Sequence, residues 1–441
     1  MGKKNRKTRS AVNYPDIISD DDSMSTISTA WSEQSTFGNN NETELVNSRQ
    51  FELDKHLDAL YEKRSSTREN ALLGLVKAFE SEILHEFVEN KYATLLHQFI
   101  NSIKRGSSKE VSLASRAIGF LAITVGSGSN AHEIMTDAVQ HLHQTLKSGS
   151  DPSKKSSAIE CIAIISFVGA DDVEETEKSM QIIWEIINPK SASNVTLTKP
   201  TSAVLSSAIF AWSFLLTTVN QWRSNFTNWQ GSISFLSNLL DKEDRSVRIA
   251  AGEALALIFE INRFEKFTKV NDSEHQGGSK LPHDGLAYVD VLKGKLLTQA
   301  RNLSMEAGGK GSTRTDLNNQ RDLFQRILSF IETGEFDELS VKVLPNCSLL
   351  KLSSWAQSTQ LNFLKRFLGS GYLMHMTDNS LLHEVFNYTP EKRKNLSVKE
   401  KRVYMSPNSA VSKERTQYLN KHRTMSQDRN HGIFAADYEE L

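Results

Sequence analysis

An all-α solenoid of armadillo/HEAT-like helical repeats is the fold this sequence predicts, on three observations. Apolar residues recur at helical spacing from Phe51 onward. A helix start made of a Ser/Asp-rich turn, a Lys or Arg, and a run of small and aliphatic residues recurs near Ser66, Ser108, Asp151, Ser202 and Asp244. These starts lie 42, 43, 51 and 42 residues apart, an interval that holds two helices and matches the length of HEAT and armadillo units.

Residues 1–50 open basic at Lys3, Lys4, Arg6, Lys7 and Arg9, turn acidic at Asp20–Asp22, and then become rich in Ser, Thr and Asn. With little to bury they cannot offset chain entropy, and a disordered tail is expected. The opening cluster reads as a nuclear signal, an RNA contact or a solvated tail. The solenoid is expected over 51–334. Leu53, Leu57, Leu60 and Tyr61 mark one face of its first helix, and Ser66-Thr-Arg-Glu69 has the capping-box pattern that opens the next. The second helix of each unit carries small residues: Ala114, Ala117 and Gly119; Ala158 and Ala163; Ala250, Ala251, Gly252 and Ala254. These let helices approach closely in a stack. A sixth, divergent pair is expected at 286–303 and 312–334, after a polar insertion at Lys269–Lys280.

Residues 335–388 predict a helical region with a short strand at Leu339–Leu344 and an amphipathic helix at 353–368. That helix has Trp355, Leu361, Leu364 and Phe367 on one face, a break at Gly369-Ser-Gly371, and another helix after it at Leu381–Phe386. Residues 389–441 form a basic arm. Between Thr389 and Arg429 eleven Lys and Arg stand against four acids, a local charge of +7, although the whole chain carries only -1. Ser406-Pro-Asn-Ser409 signals a helix start, with Lys413 to Arg423 continuing it.

Catalysis has little to stand on. Gly308-Gly-Lys310-Gly-Ser-Thr313 lacks the hydroxyl residue directly after its lysine and has no preceding strand, so a turn is expected rather than a phosphate loop. His132, His141 and His143 match no metal-ligand spacing, and Cys161 among Ile159, Ile162 and Ile164 reads as core. The tryptophans at 184, 212, 222 and 229 read as inter-repeat filling. Two distant cysteines and no apolar leader suit an intracellular protein, nuclear or cytoplasmic. No enzyme activity, metal, cofactor, small-molecule substrate or membrane contact is expected.

The arm is where a ligand is expected. Its cations would neutralise phosphates and release counterions, and its aromatic rings would stack on unpaired bases. The binding candidates are Lys399, Lys401, Arg402, Lys413, Arg415, Tyr418, Lys421, His422 and Arg423. Protein complexes are the expected partners of the solenoid surface.

Ser354-Trp355, Phe363, Phe367-Leu-Gly-Ser-Gly-Tyr372, His375, Asn379-Ser-Leu-Leu382 through Phe386, Ser406-Pro-Asn-Ser409, Lys413, Arg415 and Asn420-Lys-His-Arg423 resemble the interferon-related developmental regulator family. The solenoid and the acidic, Ser-rich N-terminus agree in order and length; the 269–280 insertion has no match. The resemblance implies a non-enzymatic regulator of gene expression, through one of two routes. One is transcriptional co-regulation by contact with chromatin-modifying co-repressor complexes. The other is ribosome binding and translational repression, with the segment Ser406 to Arg429 occupying the path of mRNA and tRNA.

Overall fold

A computed structural model of the chain describes residues 40–148, 151–189, 199–219, 226–262, 283–307, 314–343 and 349–388, together with Lys413 and Thr416. Among the described residues, twelve helices precede a small β-hairpin: α1 (Asn40–Ala59), α2 (Ser65–Ser81), α3 (His85–Arg105), α4 (Ser108–Val125), α5 (Ser129–Lys147), α6 (Pro152–Gly169), α7 (Val173–Ile187), α8 (Ser202–Leu216), α9 (Phe226–Leu239), α10 (Arg245–Asn262), α11 (His283–Ser304) and α12 (Arg314–Thr333). Strands β1 (Leu339–Lys342) and β2 (Leu349–Leu352) pair antiparallel, with Leu339 opposite Leu352. Helix α13 (Trp355–Leu368), a 3-10 turn (Gly369–Gly371), α14 (Tyr372–Asp378) and α15 (Ser380–Val385) follow.

The helices pack as hairpins, α1 on α2, α3 on α4 and so on to α11 on α12, with even-numbered helices side by side in one layer and odd-numbered ones in the other. The sixth pair falls where the sequence put it. Each recurring start opens the second helix of its hairpin, the one expected to carry the small residues. Ser107 and Glu110 form a reciprocal capping box at the start of α4, Asp151 caps α6 ahead of Pro152, and Thr201 caps α8. Such caps satisfy backbone N–H groups that have no partner within the helix.

Three details depart from the sequence reading. The first helix begins at Asn40, inside the stretch 1–50 expected to lack structure. Its later turns bury Leu53 and Leu57, Leu60 is buried just beyond its end, and Arg49 pairs at 3.3 Å with Glu82, which follows α2. Tyr61, expected on the buried face, is 61% exposed because the helix has ended before it. The Ser66 box does not form. Helix α2 starts at Ser65, and the Glu69 carboxylate that would have capped it accepts from the next repeat instead. Ser65 Oγ donates to Glu110 at 2.7 Å, and Ser107 Oγ to Glu69 at 2.8 Å.

The small residues behave as expected within the even layer, but not only there. Gly252 lets Phe324 and Ile327 of α12 close on α10, whereas Gly119 of α4 faces Phe367 of α13. The even layer is thus covered on its second face by the chain's own C-terminal helices. Trp212 is buried and Trp184 packs on it with ring centroids 5.0 Å apart. Trp222 and the Trp229 side chain lie outside the described residues, as do residues 1–39, the 269–280 insertion, the 308–313 turn and Cys347.

Candidate functional site

Of the nine binding candidates in the arm, Lys413 is described: it is helical and exposed. Lys399, Lys401, Arg402, Arg415, Tyr418, Lys421, His422 and Arg423 lie outside the described residues. What the structure does position is the segment that leads into the arm. Residues 355–388 run back across the even layer, from α10 to α8, α6, α4 and α2.

The return path is anchored at both ends by backbone polar groups. Glu260 near the end of α10 accepts from the Trp355 and Ala356 amides at 2.7 and 2.9 Å, and the Ser354 hydroxyl accepts from the Gln357 amide. A carboxylate at a helix N-terminus faces the positive end of the macrodipole. At the far end, His375 Nε2 bonds the Phe79 carbonyl of α2 at 2.9 Å. Asn379 donates to the Ile123 carbonyl of α4 at 3.2 Å while capping α15 through Leu381. Gly371 passes so close to Glu80 that a Cβ would lie 2.8 Å from that backbone. Between the anchors, Phe363 stacks on Phe214 at 4.3 Å, and Phe367 lies 5.3 Å from Phe120.

Four charged groups gather along the return segment, with Glu253 buried, Glu160 half-buried and 38% of the Arg366 side chain exposed. Arg366 lies over Phe210 with its guanidinium carbon 4.1 Å from the ring centre, and its Nε reaches Glu160 of α6 at 4.0 Å. Asn362 donates to Glu253 of α10 at 3.1 Å, but the other Glu253 oxygen has no hydrogen-bond partner among the described residues. Arg326 of α12 is also half-buried here, over Trp355 and Phe336. Burial pushes the Glu253 carboxyl up to about 7, against the pull of Arg366, Asn362 and Arg326, and pushes Glu160 up as well. Buried carboxylates rise because the charged form loses its water.

Between the ordinary 4.5 and about 7, folded Glu253 keeps a proton that the unfolded chain releases. Stability therefore falls as pH rises through that window, by at most about 3 kcal/mol. Urea midpoints measured from pH 5 to 8 are expected to decline for the wild type, and Glu253→Gln is expected to flatten that decline.

No group of three or more His, Cys, Asp or Glu converges for a metal among the described residues. His132 is used structurally, with Nδ1 3.1 Å from the Gly169 carbonyl and 3.3 Å from Asp171. Burial in the α6 core pushes the Cys161 thiol well above its ordinary range, which makes it a poor nucleophile. None of the described helices is long and apolar enough to cross a membrane.

This geometry defines a class: a helical-repeat scaffold whose segment 355–388 is docked along one layer of its own helices. The family model of the interferon-related developmental regulators matches residues 21–332, and that of the interferon-related protein conserved region matches residues 379–427. The chain belongs to the interferon-related developmental regulator family, and with it to regulators of gene expression, a family not known for enzymes. It is 27% identical to interferon-related developmental regulator 1 of Mus musculus over 86% of this chain and 82% of that one. It is 28% identical to regulator 2 of Mus musculus over 85% and 82%, and 26% identical to regulator 1 of Homo sapiens over 86% and 81%.

The sequence reading missed the charged cluster. Its signal was present in Glu160 and Glu253, each set inside an otherwise apolar helix where a lone carboxylate needs a partner from elsewhere.

Proposed function

We propose that the chain is a non-enzymatic scaffold that binds the ribosome or its RNA through the arm 389–441 and represses translation by occupying the RNA path. The observation that carries this is the +7 charge of Thr389–Arg429, interleaved with Tyr404, Tyr418 and His422. A cationic segment of this kind gains affinity by counterion release, and its rings stack on unpaired bases. It lies mostly within the family's conserved C-terminal region. On this reading the protein works in the cytoplasm, the nucleus or both, with no cofactor, small-molecule substrate or membrane.

A second reading is a nuclear transcriptional co-regulator that joins protein complexes. It is supported by the layer of odd-numbered helices, which the return segment does not cover. Any such partner would dock there, because the exposed face of the even layer is already taken by residues 355–388.

Sucrose-gradient sedimentation at low and moderate salt tests the first reading. Wild type is expected in ribosomal fractions, and the variant Lys413→Glu, Arg415→Glu, Lys421→Glu, Arg423→Glu outside them with its melting unchanged. If four phosphate contacts on single-stranded RNA are lost, the log–log salt slope falls by about 3. A wild type that never sediments with ribosomes refutes the reading.

A further inference from the structure

The solenoid's own charge is sorted between its two long edges. At one edge the odd helices end and the even helices begin. Bonds between successive starts show these turns side by side: Ser65 to Glu110 at 2.7 Å, Asp151 to Ser108, and Asp244 to Ser202. The described turns here, within 61–68, 103–110, 146–155, 199–202, 241–248 and 304–314, hold fourteen Lys and Arg against seven acids. The described turns at the opposite edge, 77–91, 123–135, 167–178 and 258–261, hold eleven acids against three Lys. Scatter of solvated charges would not segregate in this way.

The acids on the basic edge are largely committed. Glu110 is buried against Arg68, while Asp151 and Asp244 cap helices. In contrast Lys63, Arg64, Lys104, Arg105, Lys147 and Lys242 are exposed, and none is held in a salt bridge among the described residues. Neighbouring helices stand about 8–10 Å apart, so these cations form regularly spaced rows along a line.

We propose that this edge is a second RNA-binding surface, which tracks the phosphate backbone of an RNA duplex. A line of cations suits a linear polyanion. Duplex is favoured over single strand because Tyr61, at one end, is the edge's one aromatic residue in those turns. Stacking platforms that splayed bases need are otherwise missing from it, whereas a duplex presents only backbone. A lipid surface would call for exposed apolar side chains between the rows, and from Arg64 to Lys242 the described turns expose none of the large ones. The choice of RNA rests on the function proposed above; the surface itself does not.

The test uses the full-length chain and fluorescence anisotropy with a blunt, labelled RNA duplex of about 16 base pairs or more. The variant Lys104→Glu, Arg105→Glu, Lys147→Glu, Lys242→Glu is expected to bind at least about 30-fold more weakly, with a salt slope smaller by about 3–4. Its melting should match wild type, since all four side chains are exposed. The arm variant should keep most duplex affinity. Equal binding by edge variant and wild type overturns the inference, and so does a wild type that ignores the duplex at low salt. Loss of duplex binding in the arm variant alone also overturns it, while leaving the arm reading intact. Loss in the edge variant, with ribosome sedimentation of the arm variant unchanged, supports the edge and refutes the arm. Binding of the edge to phosphatidylserine vesicles but not to the duplex overturns the proposal in favour of a membrane surface.

Discussion

Arg366→Ala is expected to destabilise the fold by about 1–2 kcal/mol at pH 8, because it removes the cation beside buried Glu253 and partly buried Glu160. Arg366 is the cation that faces both Glu160 and Glu253, and it bridges three elements: α13, α6 and α10. Removing it also forfeits the contact over Phe210. The loss should shrink at pH 5.5, where the Glu253 carboxyl holds its proton and needs no counterion. A cavity of the same size in an apolar site would show no such pH dependence. Arg366→Met combined with Glu160→Gln and Glu253→Gln is expected to recover most of the stability, since replacing a whole buried charged cluster is often neutral. Denaturant titrations of the three proteins at both pH values give the answer. A pH-independent loss, unrecovered in the triple variant, would rule out this account.

Phe367→Ala is expected to cost about 3–5 kcal/mol, the range for deleting a buried ring. Phe367 is buried, touches the Phe120 ring, and fits only because Gly119 lacks a side chain. Gly119→Val would drive a methyl group into that ring and should be destabilising on its own. The double variant should lose less than the two single losses added, because valine fills part of the space the ring vacates. Strict additivity in a double-mutant cycle by urea denaturation would show that the two positions do not share a packing site. Limited proteolysis should report the same event locally, with faster cleavage after Tyr372 in Phe367→Ala than in wild type.

Much of this was legible from residues alone. The helix starts at Ser108, Asp151, Ser202 and Asp244 are local chemistry, a capping side chain next to N–H groups that need one, and they fall where the structure has them. Trp355, Leu361, Leu364 and Phe367 form the buried stripe of α13 as their spacing requires. Helix α6 is apolar almost all round, a pattern that means burial on every side. It is buried between its hairpin partner α5, the neighbours α4 and α8, and the return segment. The pattern says that something covers the helix and leaves open what. Strand β2 went unread: Leu349-Leu350-Lys-Leu352 is too short to show a period, and its partner β1 fixes it.

By itself, then, the sequence determined an all-α repeat rod, where its helices begin, and the basic character of its arm, because capping, periodicity and charge are properties of neighbouring residues. Only the tertiary structure decided that residues 355–388 lie along the even layer, that Glu160 and Arg366 meet there, and that basic and acidic turns separate onto opposite edges. Those outcomes join positions a hundred or more residues apart, or sum over every second turn of the stack. They depend on which helices become neighbours, and no local pattern records that.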